Sequence, residues 1–213
     1  MKIRIIKEQK EETRVGLTEG DILKWMAAHF PRYGNALYSH EAVEKMVKDF
    51  GYESFEEFKG DSEAKSLFVA TSRNIYNNRA LPKQEKDTVR INHTTGLRTD
   101  SPEERYNIID TILNNGLVSQ SEGSGKYSES PMDIFGLVDN PEAGMGNVYN
   151  KNFPWITLEL PKGDERYQYD LRGTGPGSVV VLSKEVPAQY VIGVSGIPKN
   201  DYIEAVEKMR ETQ

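Results

Sequence analysis

The sequence predicts an α+β fold in which a small helical N-terminal region, residues 1–86, precedes a sheet-containing domain, residues 87–213. Before residue 80, apolar side chains recur at the spacing of helices. After residue 87, short segments with strand-like alternation become common. A polar connector at residues 77–83 separates the two patterns. Helices that are segregated from strands along the chain are typical of the α+β class.

The N-terminal region has the pattern of a small helical bundle with side-chain caps. Because proline cannot donate a helical hydrogen bond, we expect the first helix to stop at Pro31. The second helix is predicted at residues 40–50, and a later one runs from residue 61 through 72 or further. The predicted capping residues are Thr18, Ser39, Ser54 and Asp61.

Six strands and two further helices are predicted after residue 87. The strands lie at residues 89–92, 133–138, 155–160, 167–171, 179–183 and 190–194. One helix spans 102–115, with Ser101 as N-cap and Gly116 as C-cap. The other spans 201–211, with Asn200 or Asp201 as its cap. A region rich in Gly, Ser, Asn and Pro at residues 119–152 is typical of a long binding loop.

The composition excludes several classes of function. The 213 residues include no cysteine, so disulfides, thiolate catalysis and cysteine zinc sites are excluded. Three widely separated histidines show no metal-ligand spacing, and there is no phosphate-binding loop or dinucleotide fingerprint. Residues 91–213 carry 11 Lys+Arg against 18 Asp+Glu, which disfavours broad binding of nucleic acid. With no apolar span and no signal peptide, we expect a cytoplasmic protein without a membrane partner.

A distinctive order of features begins at the end of the first strand of the sheet domain. His93-Thr94-Thr95-Gly96 is followed by a helix that ends in Ile-Leu-x-x-Gly-Leu at residues 112–117. A Gly/Ser loop carrying Tyr127 comes next, and a closing pair of strands lies within 179–194. Over residues 88–195 this order resembles the NAD-dependent ADP-ribosyltransferase superfamily, in particular its poly(ADP-ribose) polymerase and diphtheria-toxin branch.

The resemblance implies a split two-sheet fold with a cleft that holds NAD, the substrate, in a bent pose. The activity it implies is transfer of ADP-ribose to a macromolecule, with a protein favoured over a nucleic acid. His93 would contact the adenosine ribose and Tyr127 would stack on nicotinamide, which makes these two the candidate catalytic residues; Tyr149 competes for the stacking role. The implied cofactor-binding residues are His93, Thr94, Thr95, Gly96, Tyr127, Ser128 and Tyr149.

One residue of the family pattern is missing. A glutamate should precede the strand at 179–183, where residues 175–178 read Gly-Pro-Gly-Ser. A carboxylate there stabilises the oxocarbenium-like state formed as nicotinamide leaves. Three alternatives stay open: the alignment is shifted, Asp170 or Glu159 supplies the acid, or transfer is weak or lost. In the last case the chain is a non-catalytic NAD- or nucleotide-binding module.

Other interpretations also fit the same residues. The tRNA 2′-phosphotransferases of the superfamily use basic residues instead of the glutamate, and the candidates here are Arg90, Arg98 and Arg172. Plainer roles are a core histidine at His93, a surface-loop tyrosine at Tyr127, and a solvated or ion-paired arginine at Arg90. A structural or assembly protein without a small-molecule site is a further alternative.

Overall fold

Helices come first and a large antiparallel sheet follows in the computed structural model of this chain. The structure describes residues 16–33, 39–95, 99–118, 134–139, 154–170, 173–183 and 185–212. A seven-stranded sheet is accompanied by a separate two-stranded sheet. The predicted α+β class is therefore confirmed.

Four helices make up the described N-terminal part, and their capping follows the prediction. They are α1 (Glu19–Tyr33), α2 (His40–Asp49), α3 (Phe55–Gly60) and α4 (Ser62–Tyr76). Each of the three later helices begins where a side-chain oxygen accepts a hydrogen bond from a first-turn amide. The caps are Ser39, Ser54 and Asp61, with distances of 3.3, 3.2 and 3.0 Å. At the start of α1, the Thr18 amide donates to the Asp21 carboxylate at 2.9 Å, and the Asp21 amide donates to the Thr18 hydroxyl at 3.2 Å.

The prediction that Pro31 stops the first helix is wrong, because α1 continues through it to Tyr33. Pro31 is buried, and its carbonyl accepts a bond from Arg105 Nη1 at 3.2 Å. Next to it, Phe30 packs edge-on against Trp155 with ring centroids 5.4 Å apart. These contacts from distant parts of the chain hold the last turn in place despite the missing amide donor.

Nine strands and two more helices complete the described fold. The strands are β1 (Thr88–Thr94), β2 (Leu117–Val118), β3 (Ile134–Val138), β4 (Trp155–Pro161), β5 (Tyr167–Tyr169), β6 (Val179–Leu182), β7 (Glu185–Val186), β8 (Val191–Val194) and β9 (Ile197–Pro198). The helices are α5 (Pro102–Asn115) and α6 (Lys199–Glu211). The main sheet has the order β5-β6-β3-β1-β4-β8-β9, and β2 pairs with β7.

The predicted strands and helices of this part are present as strands and helices, with three differences from the prediction. The strand at 167–171 ends at Tyr169, and the two-residue strands β2, β7 and β9 were not predicted. Helix α6 begins at Lys199 after Pro198 and has no side-chain cap, so a cap at Asn200 or Asp201 is wrong. Strands of two residues are too short to show a periodic pattern, and only their partners define them.

Strand β1 lies at the centre of the main sheet and is buried on both faces. Alternation along β1 predicts one apolar face and one polar face open to solvent, yet Arg90, Asn92 and Thr94 on the polar face are buried as well. Helices α1 and α4 cover this polar face through Phe30 and through Asn78, which follows α4. Alternation predicts which face is apolar, but only the packing of other elements decides whether the polar face meets water.

The β8–β9 turn packs tightly against the end of helix α4. A Cβ added at Gly196 would lie 1.9 Å from the carbonyl oxygen of Ile75, and one added at Gly193 would lie 2.4 Å from Leu81 Cδ2. The helices and the sheet contribute to one continuous hydrophobic cluster. The predicted division into domains at residues 86 and 87 stays a prediction.

Candidate functional site

His93 lies near the end of β1, partly buried, with its ring held by the neighbouring strand. Its Nδ1 lies 2.8 Å from the carbonyl oxygen of Phe135 in β3. Because a carbonyl oxygen can only accept a hydrogen bond, Nδ1 must carry the hydrogen. The strand backbone therefore selects the tautomer of this imidazole.

The surroundings of His93 favour a neutral ring. Burial lowers the pKa of His93, and the bond to the Phe135 carbonyl opposes this shift only in part. At neutral pH the ring is then uncharged, with a hydrogen on Nδ1 and a lone pair on Nε2. Such a ring offers a single acceptor to a hydroxyl donor, for example a hydroxyl of a sugar.

A glycine in β3 explains how close β1 and β3 lie on the apolar face. A Cβ added at Gly136 would be 2.4 Å from Ile91 Cγ2 and 3.3 Å from Val180 Cγ2. Real Cβ atoms do not approach other atoms that closely, so position 136 accepts no side chain without rearrangement. The absence of that side chain leaves room for the side chains of Ile91 and Val180 to pack on this face of the sheet.

The structure places two of the other predicted NAD contacts directly after His93. Thr94 is buried opposite Trp155, and its hydroxyl has no hydrogen-bond partner among the described residues. Thr95 is also buried, and its amide donates to the Pro154 carbonyl at 2.9 Å. The remaining predicted contacts lie outside the described residues: Gly96, Tyr127, Ser128 and Tyr149. Their roles and those of the two threonines stay predictions.

Glu159 does not face His93 and cannot replace the missing acid without rearrangement. It pairs with Arg90 across β1 and β4, on the face opposite His93. Its carboxylate accepts bonds from Arg90 Nε at 2.8 Å, Thr88 Oγ1 at 2.8 Å and Glu85 N at 3.0 Å. Burial raises the pKa of Glu159, but these bonds outweigh burial and hold the pKa below its usual value.

The other positions considered for an acid lie toward the opposite end of the strands. The Ser178 carbonyl accepts from Val138 N, and the Asp170 amide donates to the Val179 carbonyl. The register makes Val138 a partner of Ile91, two residues before His93. Ser178 is thus separated from His93 by about 7 Å along the strands and about 10 Å across them. One small group cannot contact both side chains.

A buried polar network lies on the face of β1 opposite His93, and nothing in the sequence pattern indicated it. Asn78 Nδ2 donates to Asn92 Oδ1 and to Asp139 Oδ1, both at 3.2 Å. Asn78 Oδ1 accepts from Trp155 Nε1 at 3.3 Å, and Thr157 Oγ1 donates to Asn92 Oδ1 at 2.7 Å. These partners are up to 77 residues apart in sequence. We refer to the five side chains as the Asn78 network.

A concave region lies among the helices, with a volume of about 300 Å³. Three aspartates line it, but each already accepts a bond from a neighbour: Asp21 from Thr18, Asp49 from Trp25 and Asp61 from Tyr52. In the part of the chain that the structure describes, no three His, Asp or Glu side chains are grouped to hold a metal ion. None of the described helices is long and apolar enough to cross a membrane.

Comparison with protein-family models, with curated proteins and with solved structures finds no match for this chain. The features of this chain that indicate a function are the order of its sequence motifs and the geometry around His93.

Proposed function

We propose that the chain is an NAD-dependent mono-ADP-ribosyltransferase-like protein that modifies a macromolecular target, a protein rather than a nucleic acid. The observation that carries the proposal is His93, a histidine on the central strand whose tautomer leaves Nε2 as an acceptor for a ribose hydroxyl. The presence of a small β2–β7 sheet beside the main sheet supports the proposed split two-sheet architecture. A cytoplasmic location, where NAD is present, belongs to the same proposal.

In the proposed reaction, the bond between nicotinamide and the ribose C1′ of NAD breaks, and nicotinamide leaves with the electron pair. A nucleophile of the acceptor then bonds to C1′ and loses its proton. Positive charge develops on the ribose between these events, so orientation of NAD and nearby negative charge lower the barrier. His93 contributes by holding a ribose hydroxyl, which orients the substrate, and it transfers no proton.

The first test is calorimetric titration with NAD. We expect saturable binding to the wild type and a dissociation constant about tenfold higher for His93→Ala, since one hydrogen bond with its packing is worth about 1 kcal/mol or slightly more. His40→Ala is the matched control, because the side chain of His40 is 90% exposed on α2 and pairs only with Glu44 there. Absence of saturable heat in the wild type, or equal affinity of wild type and His93→Ala, would refute the proposed role.

The pH dependence of NAD binding provides a second test. Protonation of Nε2 removes the acceptor, and the pKa of His93 is lowered from 6.5 by burial. Affinity should therefore be constant from pH 8 to about 6.5 and fall as pH drops through the lowered pKa. His93→Gln, which cannot titrate, should show a flat profile over the same range. If NAD affinity changed with pH in the same way in the wild type and in His93→Gln, the role of His93 Nε2 as the acceptor would be contradicted.

A non-catalytic NAD- or nucleotide-binding module is the second candidate. Two observations favour it: Ser178 stands where an acid is expected, and Glu159 is held by Arg90 on the other face of the sheet. Release of nicotinamide from NAD, measured with and without a mixture of acceptor proteins, separates the candidates. Turnover above the rate of buffer hydrolysis eliminates the module, whereas binding without turnover eliminates the enzyme.

The phosphotransferase-like alternative has less support from the structure. The guanidinium of Arg90 is bound by Glu159 Oε2 and by the Pro82 carbonyl, so this arginine is already engaged. The other two arginines suggested for phosphate, Arg98 and Arg172, lie outside the described residues. Removal of a 2′-phosphate from RNA in the presence of NAD would revive this alternative.

A further inference from the structure

The end of helix α4 is connected to all three strands that surround His93. The Asn78 side chain bonds to Asn92, which precedes His93 in β1, and to Trp155, which is paired with Thr94. Its third partner is Asp139, directly after β3. β3 is also the strand whose Phe135 carbonyl holds the His93 ring. A single amide therefore joins β1, β3 and β4 from behind the candidate site.

We propose that Asn78 is a positioning residue for His93, an inference that rests on the proposed NAD-binding function for its biological meaning. The helical N-terminal region then has a defined role. It supplies the polar contact that sets the relative position of β1 and β3, and with it the orientation of the histidine ring.

Asparagine suits this position because it tolerates the backbone conformation and its amide supplies both the donors and the acceptor that the neighbours require. Position 78 is 3% exposed and has a left-handed backbone, with φ of 54°. Asparagine tolerates that conformation better than most residues. The site also needs two hydrogen-bond donors toward Asn92 and Asp139 and one acceptor toward Trp155. Aspartate lacks the donors, and an apolar residue would remove all three of these hydrogen bonds from a buried site.

Side chains on the opposite face of these strands do not define the relative position of β1 and β3 as closely. There, Ile91, Val138 and Val180 make buried apolar contacts, which are not directional. Hydrogen bonds require a defined distance and angle, and a fully paired buried network specifies one arrangement. The Asn78 network therefore adds directional side-chain contacts to the backbone pairing of β1 and β3, in which Ile91 pairs with Val138 and Asn92 with Leu137.

Asn78→Asp is the test variant, because it keeps the shape and the acceptor but removes both donors and adds a carboxylate beside Asp139. The first readout is the pH titration of the His93 ring by NMR without NAD; the chain has only three histidines, so the signals are separable. We expect the midpoint of His93 to move toward the ordinary value of 6.5. The second readout is NAD affinity, which we expect to fall about tenfold or more, because small displacements of binding groups cost that much.

Two further variants separate positioning from general stability. Val47→Ala removes buried apolar volume in α2, a helix that contributes no side chain to the network, and should lower stability without moving either readout. Adding Asp139→Asn to Asn78→Asp reverses the donor and the acceptor in one pair. Because the bond from position 78 to Asn92 is not restored, we expect this double variant to recover part of the wild-type His93 titration and NAD affinity.

Thr157→Val is the milder variant should Asn78→Asp not fold, since it removes only the 2.7 Å bond to Asn92. It should shift the His93 titration in the same direction by a smaller amount. An unchanged His93 titration in the folded network variants overturns the inference, and so does an equal shift in Val47→Ala. If the wild type binds no NAD, the proposed function fails, while the His93 titration still decides whether Asn78 positions the ring.

Discussion

Gly196→Ala is expected to lower the free energy of unfolding by about 2–5 kcal/mol, the sum of a left-handed backbone penalty and an overpacking penalty. Gly196 has φ of 80°, and the new Cβ would lie 1.9 Å from the carbonyl oxygen of Ile75 and 2.8 Å from its carbonyl carbon. Since both contacts are with backbone, no side chain can rotate away. Either the β8–β9 turn or the end of α4 must move.

Gly163→Ala is the control for this prediction. Gly163 has nearly the same φ, 77°, but no atom lies within 4 Å of its added Cβ. The control should show only the conformational penalty of about 1–2 kcal/mol. Urea and thermal unfolding of the full chain measure both variants. Equal losses of stability in the two variants would mean that the β8–β9 turn is not in close contact with the Ile75 backbone.

Glu159→Gln should lower the free energy of unfolding by about 3–5 kcal/mol, because it leaves Arg90 buried without its counter-charge. The side chains of Arg90 and Glu159 are 7% and 11% exposed, with Nε and Oε2 2.8 Å apart. Glutamine keeps the shape of the side chain, so loss of packing contributes little. The matched control is Glu56→Gln, whose pair with Lys59 is on the surface and is expected to contribute under about 1 kcal/mol.

The same ion pair predicts a pH dependence of stability. The pKa of Glu159 is lowered from 4.5 in the folded chain, so its contribution is complete above 4.5 and is lost as pH falls through the lowered folded value. Urea unfolding between pH 6 and pH 3 should show a loss in the wild type that is smaller in Glu159→Gln. Identical pH profiles of the two proteins would argue against a stabilising ion pair.

Elements with local signals were predicted well. Helix α5 has the predicted bounds, because Ser101 caps its first turn and Gly116 ends it with φ of 88°. The signals for such ends lie within a few residues of each other. Pro31 shows the limit of this kind of inference: its local preference is to end a helix, but contacts with Arg105 and Trp155 from later in the chain override it.

The candidate site was predicted only in its outline. The position of His93, Thr94 and Thr95 at the end of a strand followed from alternation and from the resemblance to a family. The acceptor that selects the His93 tautomer is a backbone carbonyl 42 residues away, which carries no sequence signal. Backbone atoms are the same in every residue, so their participation cannot be inferred from residue type.

The sequence alone determined the α+β class, the caps of most helices and the apolar face of the central strand, since these depend on neighbours along the chain. Tertiary structure alone decided that the polar face of β1 is buried, that Glu159 forms an ion pair with Arg90, and that Asn78 forms hydrogen bonds with residues of β1 and β4 and with Asp139 after β3. Those features depend on which distant segments meet. Periodicity records the side on which a residue lies but does not identify the partner that covers it.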